Sequence, residues 1–163
     1  MITGRMSDSQ QKDCQASAIR LLSRREHSSK ELTQKLLGRD FDSHTIESVL
    51  ALLRDENLQS DDRFAESYVR SKIQKGIGPV RLRREMREHE IDDEMINRHL
   101  SGYEWRQLAA EVRLKRFGST PPQNFEERAK QMRFLQYRGF STEQINGAMK
   151  QDEWESSEQD TNE

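Results

Sequence analysis

One cysteine, three prolines and eight glycines are all that 163 residues provide of the types that staple, break or sharply turn a chain. With Cys14 alone, no intramolecular disulfide and no cysteine-built zinc site can form. Prolines are confined to Pro79, Pro121 and Pro122, so the turn signals that a sandwich or barrel needs every 8–12 residues or so are missing. Apolar residues are also scarce, at 32 % against roughly 45–50 % in an average domain. That excludes a thick core and fits thin layers with a wet surface. No run approaches the roughly 18–20 apolar residues of a membrane span. The segment Met1 to Gln11 has no apolar stretch of the signal-peptide kind. These absences point to a soluble cytoplasmic protein.

What is present is helical periodicity. Apolar residues recur at spacings of three and four in Ile46, Val49, Leu50 and Leu53, in Leu32 and Leu36, in Phe64 and Tyr68, and in Leu82 and Met86. A repeat runs through this pattern. Phe41-Asp42-Ser43-His44-Thr45-Ile46 aligns with Ile91-Asp92-Asp93-Glu94-Met95-Ile96 and with Phe140-Ser141-Thr142-Glu143-Gln144-Ile145. The blocks lie 50 and then 49 residues apart. In each, an apolar residue precedes a capping residue (Asp42, Asp92 or Ser141) and pairs with the apolar residue five positions on. That is an N-cap with a hydrophobic staple.

The preceding helix of each block has its own start. Ser28 with Glu31 and Asn124 with Glu127 read as capping boxes, and Pro79 as a first helical residue after Gly78. A third helix precedes each of these, around Ile19–Leu22, Phe64–Val69 and Leu108–Val112. The expected fold is all-α, three tandem three-helix repeats forming an elongated curved array, because units this small must stack to bury their apolar faces. The expected boundaries are a flexible leader at 1–13, repeats at 14–59, 60–102 and 103–150, and a disordered acidic tail at 151–163. That tail holds six carboxylates and no Lys or Arg, leaving 27 basic against 23 acidic residues in the remainder.

Catalytic signatures are missing. There is no GxxxxGKS/T loop, GxGxxG, HExxH or GxSxG motif. Lys75-Gly76-Ile77-Gly78-Pro79 reads as a helix connector rather than a phosphate cradle. His27 and Glu31 read as a pair at a helix start rather than metal ligands. His44, His89 and His99 sit among helix-start and surface positions and show no ligand spacing, and Cys14 reads as a residue of the polar leader with no nucleophilic role. No catalytic residue, metal or cofactor is expected.

Positive charge does concentrate. Arg70, Lys72, Lys75, Arg81, Arg83, Arg84 and Arg87 face only Glu85 within 18 residues. Arg113, Lys115 and Arg116 form a second group, and Arg128, Lys130, Arg133 and Arg138 a third. Arg83 and Arg87 share one helix face, with Leu82 and Met86 on the adjacent one. The first two groups are the candidate partner-binding or nucleic-acid-binding residues, suited to phosphates or an acidic protein surface. The Arg/Glu-rich helix lacks the Asn, Gln or Ser/Thr readers of a base-specific recognition helix. Aromatics near the stripe are few, which gives little support to a stacking platform.

Three stretches resemble one family. Arg25-Glu26-His27-Ser28-Ser29-Lys30-Glu31-Leu32-Thr33-Gln34-Lys35-Leu36 is similar to the first-repeat signature of the RecX family, bacterial regulatory proteins of the RecA recombinase. Leu58-Gln59-Ser60-Asp61-Asp62-Arg63-Phe64-Ala65, then Lys75-Gly76 and Arg81-Leu82-Arg83-Arg84-Glu85-Met86, resemble its second repeat. Arg133-Phe134-Leu135-Gln136-Tyr137-Arg138-Gly139-Phe140 resembles its third. The resemblance runs from about Cys14 to Lys150. It implies three tandem three-helix repeats and no enzyme activity. It also implies binding to RecA or to its filament on single-stranded DNA, with less filament growth, ATP hydrolysis and strand exchange, and so a role in regulating recombination and DNA repair. A monomer with weak non-specific DNA binding is expected. Two other classes stay open: a helix-turn-helix DNA regulator, and a helical scaffold for an unrelated protein.

Overall fold

The three repeated blocks each open a helix in the way their residues dictate. In the computed structural model, the Asp42 carboxylate accepts the Thr45 amide at 2.8 Å and Asp92 accepts the Met95 amide at 2.8 Å. Ser141 Oγ accepts the Gln144 amide at 3.2 Å, while Gln144 Oε1 accepts the Ser141 amide at 2.9 Å, a reciprocal capping box. The stapling residues Ile91, Ile96, Phe140 and Ile145 are buried, and Phe41 packs half-buried against the core that holds Ile46. Of the two upstream boxes, Ser28 Oγ accepts the Glu31 amide and Asn124 Oδ1 the Glu127 amide. Their return arms differ from expectation: Glu31 is drawn to Arg25 at 2.7 Å, and Glu127 takes the amide of Gln123 rather than that of the cap residue.

The structure describes the backbone of residues 2–159 and the side chains of residues 8–150. Among the described residues there are nine helices and no strand: α1 (Ile2–Arg24), α2 (Ser29–Leu37), α3 (Ser43–Asp55), α4 (Asp61–Gln74), α5 (Pro79–Glu88), α6 (Asp93–Leu100), α7 (Trp105–Phe117), α8 (Phe125–Arg138) and α9 (Thr142–Gln159). Helix α1 begins upstream of the leader boundary expected at residue 13, and α9 ends beyond the tail boundary expected at residue 150. The tail's side chains, Trp154 included, lie outside the described residues, as do those of residues 1–7.

Two compact units are formed, Met1–Tyr68 with Met86–Asn97, and Val69–Glu85 with Arg98–Glu163. Helices α4, α5 and α6 contribute residues to both. In the first unit the core is Cys14, Ala18 and Leu21 from α1, Leu32 and Leu36 from α2, and Ile46, Val49, Leu50 and Leu53 from α3. Cys14 therefore belongs to the interior and not to a polar leader. It stands four and seven residues before Ala18 and Leu21, so it shares their face. Burial, reinforced by the Asp42 charge, pushes its thiol pKa up.

Buried His27 sits at the α1–α2 junction, with Nδ1 3.0 Å from the Arg25 carbonyl and Nε2 3.3 Å from Lys35 Nζ. Its 3.6 Å approach to Glu31 is part of this helix-start cluster. No group of residues suited to hold a metal ion occurs among the described residues. The Asp61 carboxylate opens α4 and also accepts the Ser29 amide at 2.8 Å. His89 is not simply a surface residue: it is half-buried against Phe64 and Tyr68 and lies 3.3 Å from Ser28 Oγ.

In the second unit, Ala109, Leu135, Phe140, Ile145, Ala148 and Met149 form the core. Trp105 packs against it and donates its indole N–H to the Leu100 carbonyl at 3.1 Å. No helix among the described residues is long and apolar enough to cross a membrane.

Candidate binding groove

The glycine-rich connector between α4 and α5 fixes one wall of a groove in the second unit. Gly76 turns the chain at φ +77°, a left-handed conformation in which other residues are strained. Its amide and that of Ile77 close the end of α4 on the carbonyls of Ile73 and Lys72. The next amides reach across to α8: Gly78 donates to the Arg138 carbonyl at 2.9 Å, and Val80 to the Gly139 carbonyl at 2.9 Å. The Val80 contact satisfies an orphan donor in the first turn of α5. These four amides are already engaged, so the connector is a docking loop and not a phosphate cradle.

Arg138 fastens the same corner from the other side. Its Nη1 donates to the Lys75 carbonyl at 2.8 Å, and its guanidinium lies 5.1 Å from the centre of the Phe134 ring. Arg116 lies 5.8 Å from that ring and 5.5 Å from Phe117. The two rings meet edge-to-face at 5.3 Å. Between the end of α4, one side of α7 from Leu108 to Arg116 and the end of α8 lies a groove of about 600 Å³. Ile73, Leu108, Val112 and Phe134 supply its apolar lining, and Lys75, Lys115, Arg116 and Arg138 its cations, against the single carboxylate of Glu111.

The candidate cations thus separate once the chain is folded. Lys75, Lys115 and Arg116 come together at the groove. Arg70 and Arg84 are exposed, and Lys72 and Arg83 half-buried, outside its lining. Arg81 pairs with Glu85 at 3.0 Å one turn along α5. Arg87 lies in the first unit and pairs with Asp93 at 2.9 Å. Arg113 is a correction, because it is 1 % exposed and donates Nε to Gln131 Oε1 at 2.7 Å. It follows Ala109 by four residues on the inward stripe of α7, so it faces α8 and not the surface. Burial, with a contribution from Arg128, pulls its pKa down.

Spacing alone does not assemble the groove. In the sequence Arg138 is visible only as part of a basic cluster, and the apolar lining comes from segments up to about 60 residues apart. The composition of α7, with Lys115 and Arg116 in its last turn, is the available signal.

Family models match three successive parts of the chain: the first three-helix domain of RecX over residues 14–53, the second over 60–100 and the third over 103–149. The chain belongs to the RecX family. The protein named Regulatory protein RecX from Halorhodospira halophila is 42 % identical over 80 % of this chain and 83 % of its own length. That from Chromohalobacter salexigens is 45 % identical over 81 % and 88 %. A crystal structure of regulatory protein RecX superposes with a TM-score of 0.76 at 25 % identity, covering 89 % of this chain and 75 % of that one. A RecX crystal structure from Lactobacillus salivarius matches at a TM-score of 0.77 and 21 % identity, over 90 % and 99 %. These matches agree with the all-helical, three-domain reading of the sequence and with a regulatory rather than catalytic class of relative.

Proposed function

We propose that this RecX-family chain regulates RecA without catalysing a reaction of its own. It binds RecA, or the RecA filament on single-stranded DNA, and limits filament growth, ATP hydrolysis and strand exchange. Through these it regulates recombination and DNA repair in the cytoplasm. The observation that carries the proposal is the presence of all three RecX three-helix domains, in order, over residues 14–149.

Two features of the chain support binding as the mode of action. The basic residues of α4, α5 and α7 remain largely at the surface, where charge steers association with polyanionic or acidic partners. The amides of the glycine connector serve the fold, which leaves no phosphate-binding loop there. Contact with more than one RecA subunit hinders the subunit motions that accompany ATP turnover, or blocks addition at a growing end.

The test is RecA ATPase on single-stranded DNA, titrated with the wild-type chain, with Arg83/Arg84/Arg87→Glu, and with Lys75/Lys115/Arg116→Glu. Inhibition by the wild type at fewer than one molecule per RecA is expected. Loss in one charge-reversed variant assigns the contact surface. Inhibition retained by both keeps the RecA reading and removes these cations from the contact. No effect of folded wild-type protein, together with tight binding to one duplex sequence in the absence of RecA, overturns the proposal in favour of a DNA regulator.

A further inference from the structure

The groove of the second unit has a composition that discriminates between classes of acidic ligand. Its lining is aliphatic at Ile73, Leu108 and Val112. The one aromatic ring among the lining residues, Phe134, already carries the guanidinium groups of Arg116 and Arg138 within 6 Å of its centre and meets Phe117 edge-on. It is a single ring already shared with two guanidinium groups, whereas single-stranded nucleic acid is usually anchored by successive bases stacked on several aromatic side chains. Among the described residues, neither the Lys75 nor the Lys115 ammonium has an ionic or hydrogen-bonding partner, so both remain available to carboxylates. Glu111 interrupts the positive rim. A phosphodiester backbone has no donor to give Glu111, whereas a peptide backbone has an N–H at nearly every residue.

We propose that this groove is a docking site for an acidic peptide segment carrying an aliphatic anchor, such as Leu between Asp and Glu residues, presented by a protein partner. The anchor enters the Ile73/Leu108/Val112 lining, the flanking carboxylates meet Lys75, Lys115 and Arg116, and a peptide N–H meets Glu111. Charge complementarity supplies the rate and register, and the buried anchor supplies most of the affinity. The proposal rests on the reading of the chain as a protein-binding regulator and names the chemistry of the partner at one site. Exposed Lys75 and Lys115 carry no packing role, so they can be altered without threatening the fold.

The test is fluorescence anisotropy of the full chain with the labelled peptide Glu-Asp-Leu-Glu-Glu-Leu-Asp-Glu. Saturable binding is expected, at least tenfold weaker for the peptide with Ser in place of Leu and at least tenfold weaker for Lys75→Glu/Lys115→Glu, whose thermal melt should match the wild type. Equal binding of the Leu and Ser peptides overturns the anchored-peptide reading and leaves charge alone. Displacement by oligo-dT with tighter binding of the oligonucleotide overturns it in favour of phosphates. Failure of the full chain to bind, where a chain ending at Lys150 does bind, assigns the groove to the protein's own acidic segment 151–163 and overturns the partner. No binding by either chain rejects the groove as a peptide site. RecA ATPase inhibition, measured on the same preparations, tells loss of the groove apart from loss of the RecA reading.

Discussion

A Cβ placed on Gly78 would fall 2.5 Å from the carbonyl oxygen of Gly139, closer than real Cβ atoms come to anything. Two backbones meet here with no side chain between them, and the Gly78 and Val80 amides seal the contact. Gly139 is constrained a second way. It caps α8 in the left-handed region at φ 99°, and a Cβ on it would collide with Arg81 Cβ.

Gly78→Ala and Gly139→Ala should therefore each destabilise the protein, by about 2–4 kcal/mol from steric displacement and, at Gly139, left-handed strain. Gly38→Ala is the internal control. Gly38 has φ −65°, and its added Cβ would meet carbonyl oxygens no nearer than 3.4 Å. That substitution should be neutral or slightly stabilising, by up to about 1 kcal/mol. Urea melts of the three variants decide the matter. Equal midpoints for all three would contradict the close-approach argument.

Arg113 and Lys115 sit two residues apart and answer to different physics. Truncating Arg113 leaves Gln131 buried without its guanidinium and opens a void against α8, so Arg113→Ala should cost about 3 kcal/mol. Lys115→Ala, at an exposed position, should change stability by less than about 0.5 kcal/mol. A double-mutant cycle of Arg113→Ala with Gln131→Ala should show coupling of about 1–2 kcal/mol. Additive losses would mean that the 2.7 Å bond contributes nothing beyond its parts.

That pair also shows how far the sequence can be read. The caps at Asp42, Asp92 and Ser141 and the buried Leu82 and Met86 are legible because helix starts and helix faces are local properties, set by residues within two turns. The fate of individual charges is not. Arg113 sits in a basic run with Lys115 and Arg116, and nothing in that run says that one of the three points inward. The direction is settled by where α8 lies, and Gln131, its partner, is 18 residues away. Cys14 is obscured for a related reason: a polar neighbourhood in sequence hides a residue whose face, shared with Ala18 and Leu21, turns to the core. The groove depends on pairing the Lys75 turn with Arg138 across 63 residues, information that no window of periodicity contains.

Cys14 gives a direct check on the core of the first unit. It is fully buried, and burial holds its thiol in the protonated, unreactive form. A thiol reagent such as DTNB should leave the native protein unmodified over minutes and label one thiol per chain in denaturant. Labelling of the native chain should rise with sub-denaturing urea, because it follows opening of the α1–α3 core. Prompt labelling in buffer alone would place Cys14 outside that core. Cys14→Ser should cost about 1–3 kcal/mol by burying a hydroxyl among apolar side chains.

His27 ties the stability of the first unit to pH. It is 2 % exposed, and burial lowers its pKa below the ordinary 6.5; the Arg25 carbonyl and Glu31 oppose this, while the charges of Arg25 and Lys35 add to it. In the unfolded chain the imidazole takes up its proton as pH falls through about 6.5. In the folded chain it stays neutral to lower pH. The unfolded state therefore binds more protons in that window, and stability must fall as pH decreases. The contribution of His27 should be fully present above a pH of about 6.5 and be lost progressively below it, down to its folded pKa. Thermal melts of the wild type and of His27→Gln between about pH 7.5 and 5 test this. The variant should be less stable throughout, because Gln cannot reproduce both ring-nitrogen contacts. It should also show a shallower decline between about pH 6.5 and 5. Parallel curves for the two proteins would mean that His27 gains its proton as readily in the folded chain as in the unfolded one, and that its buried, neutral state does not hold.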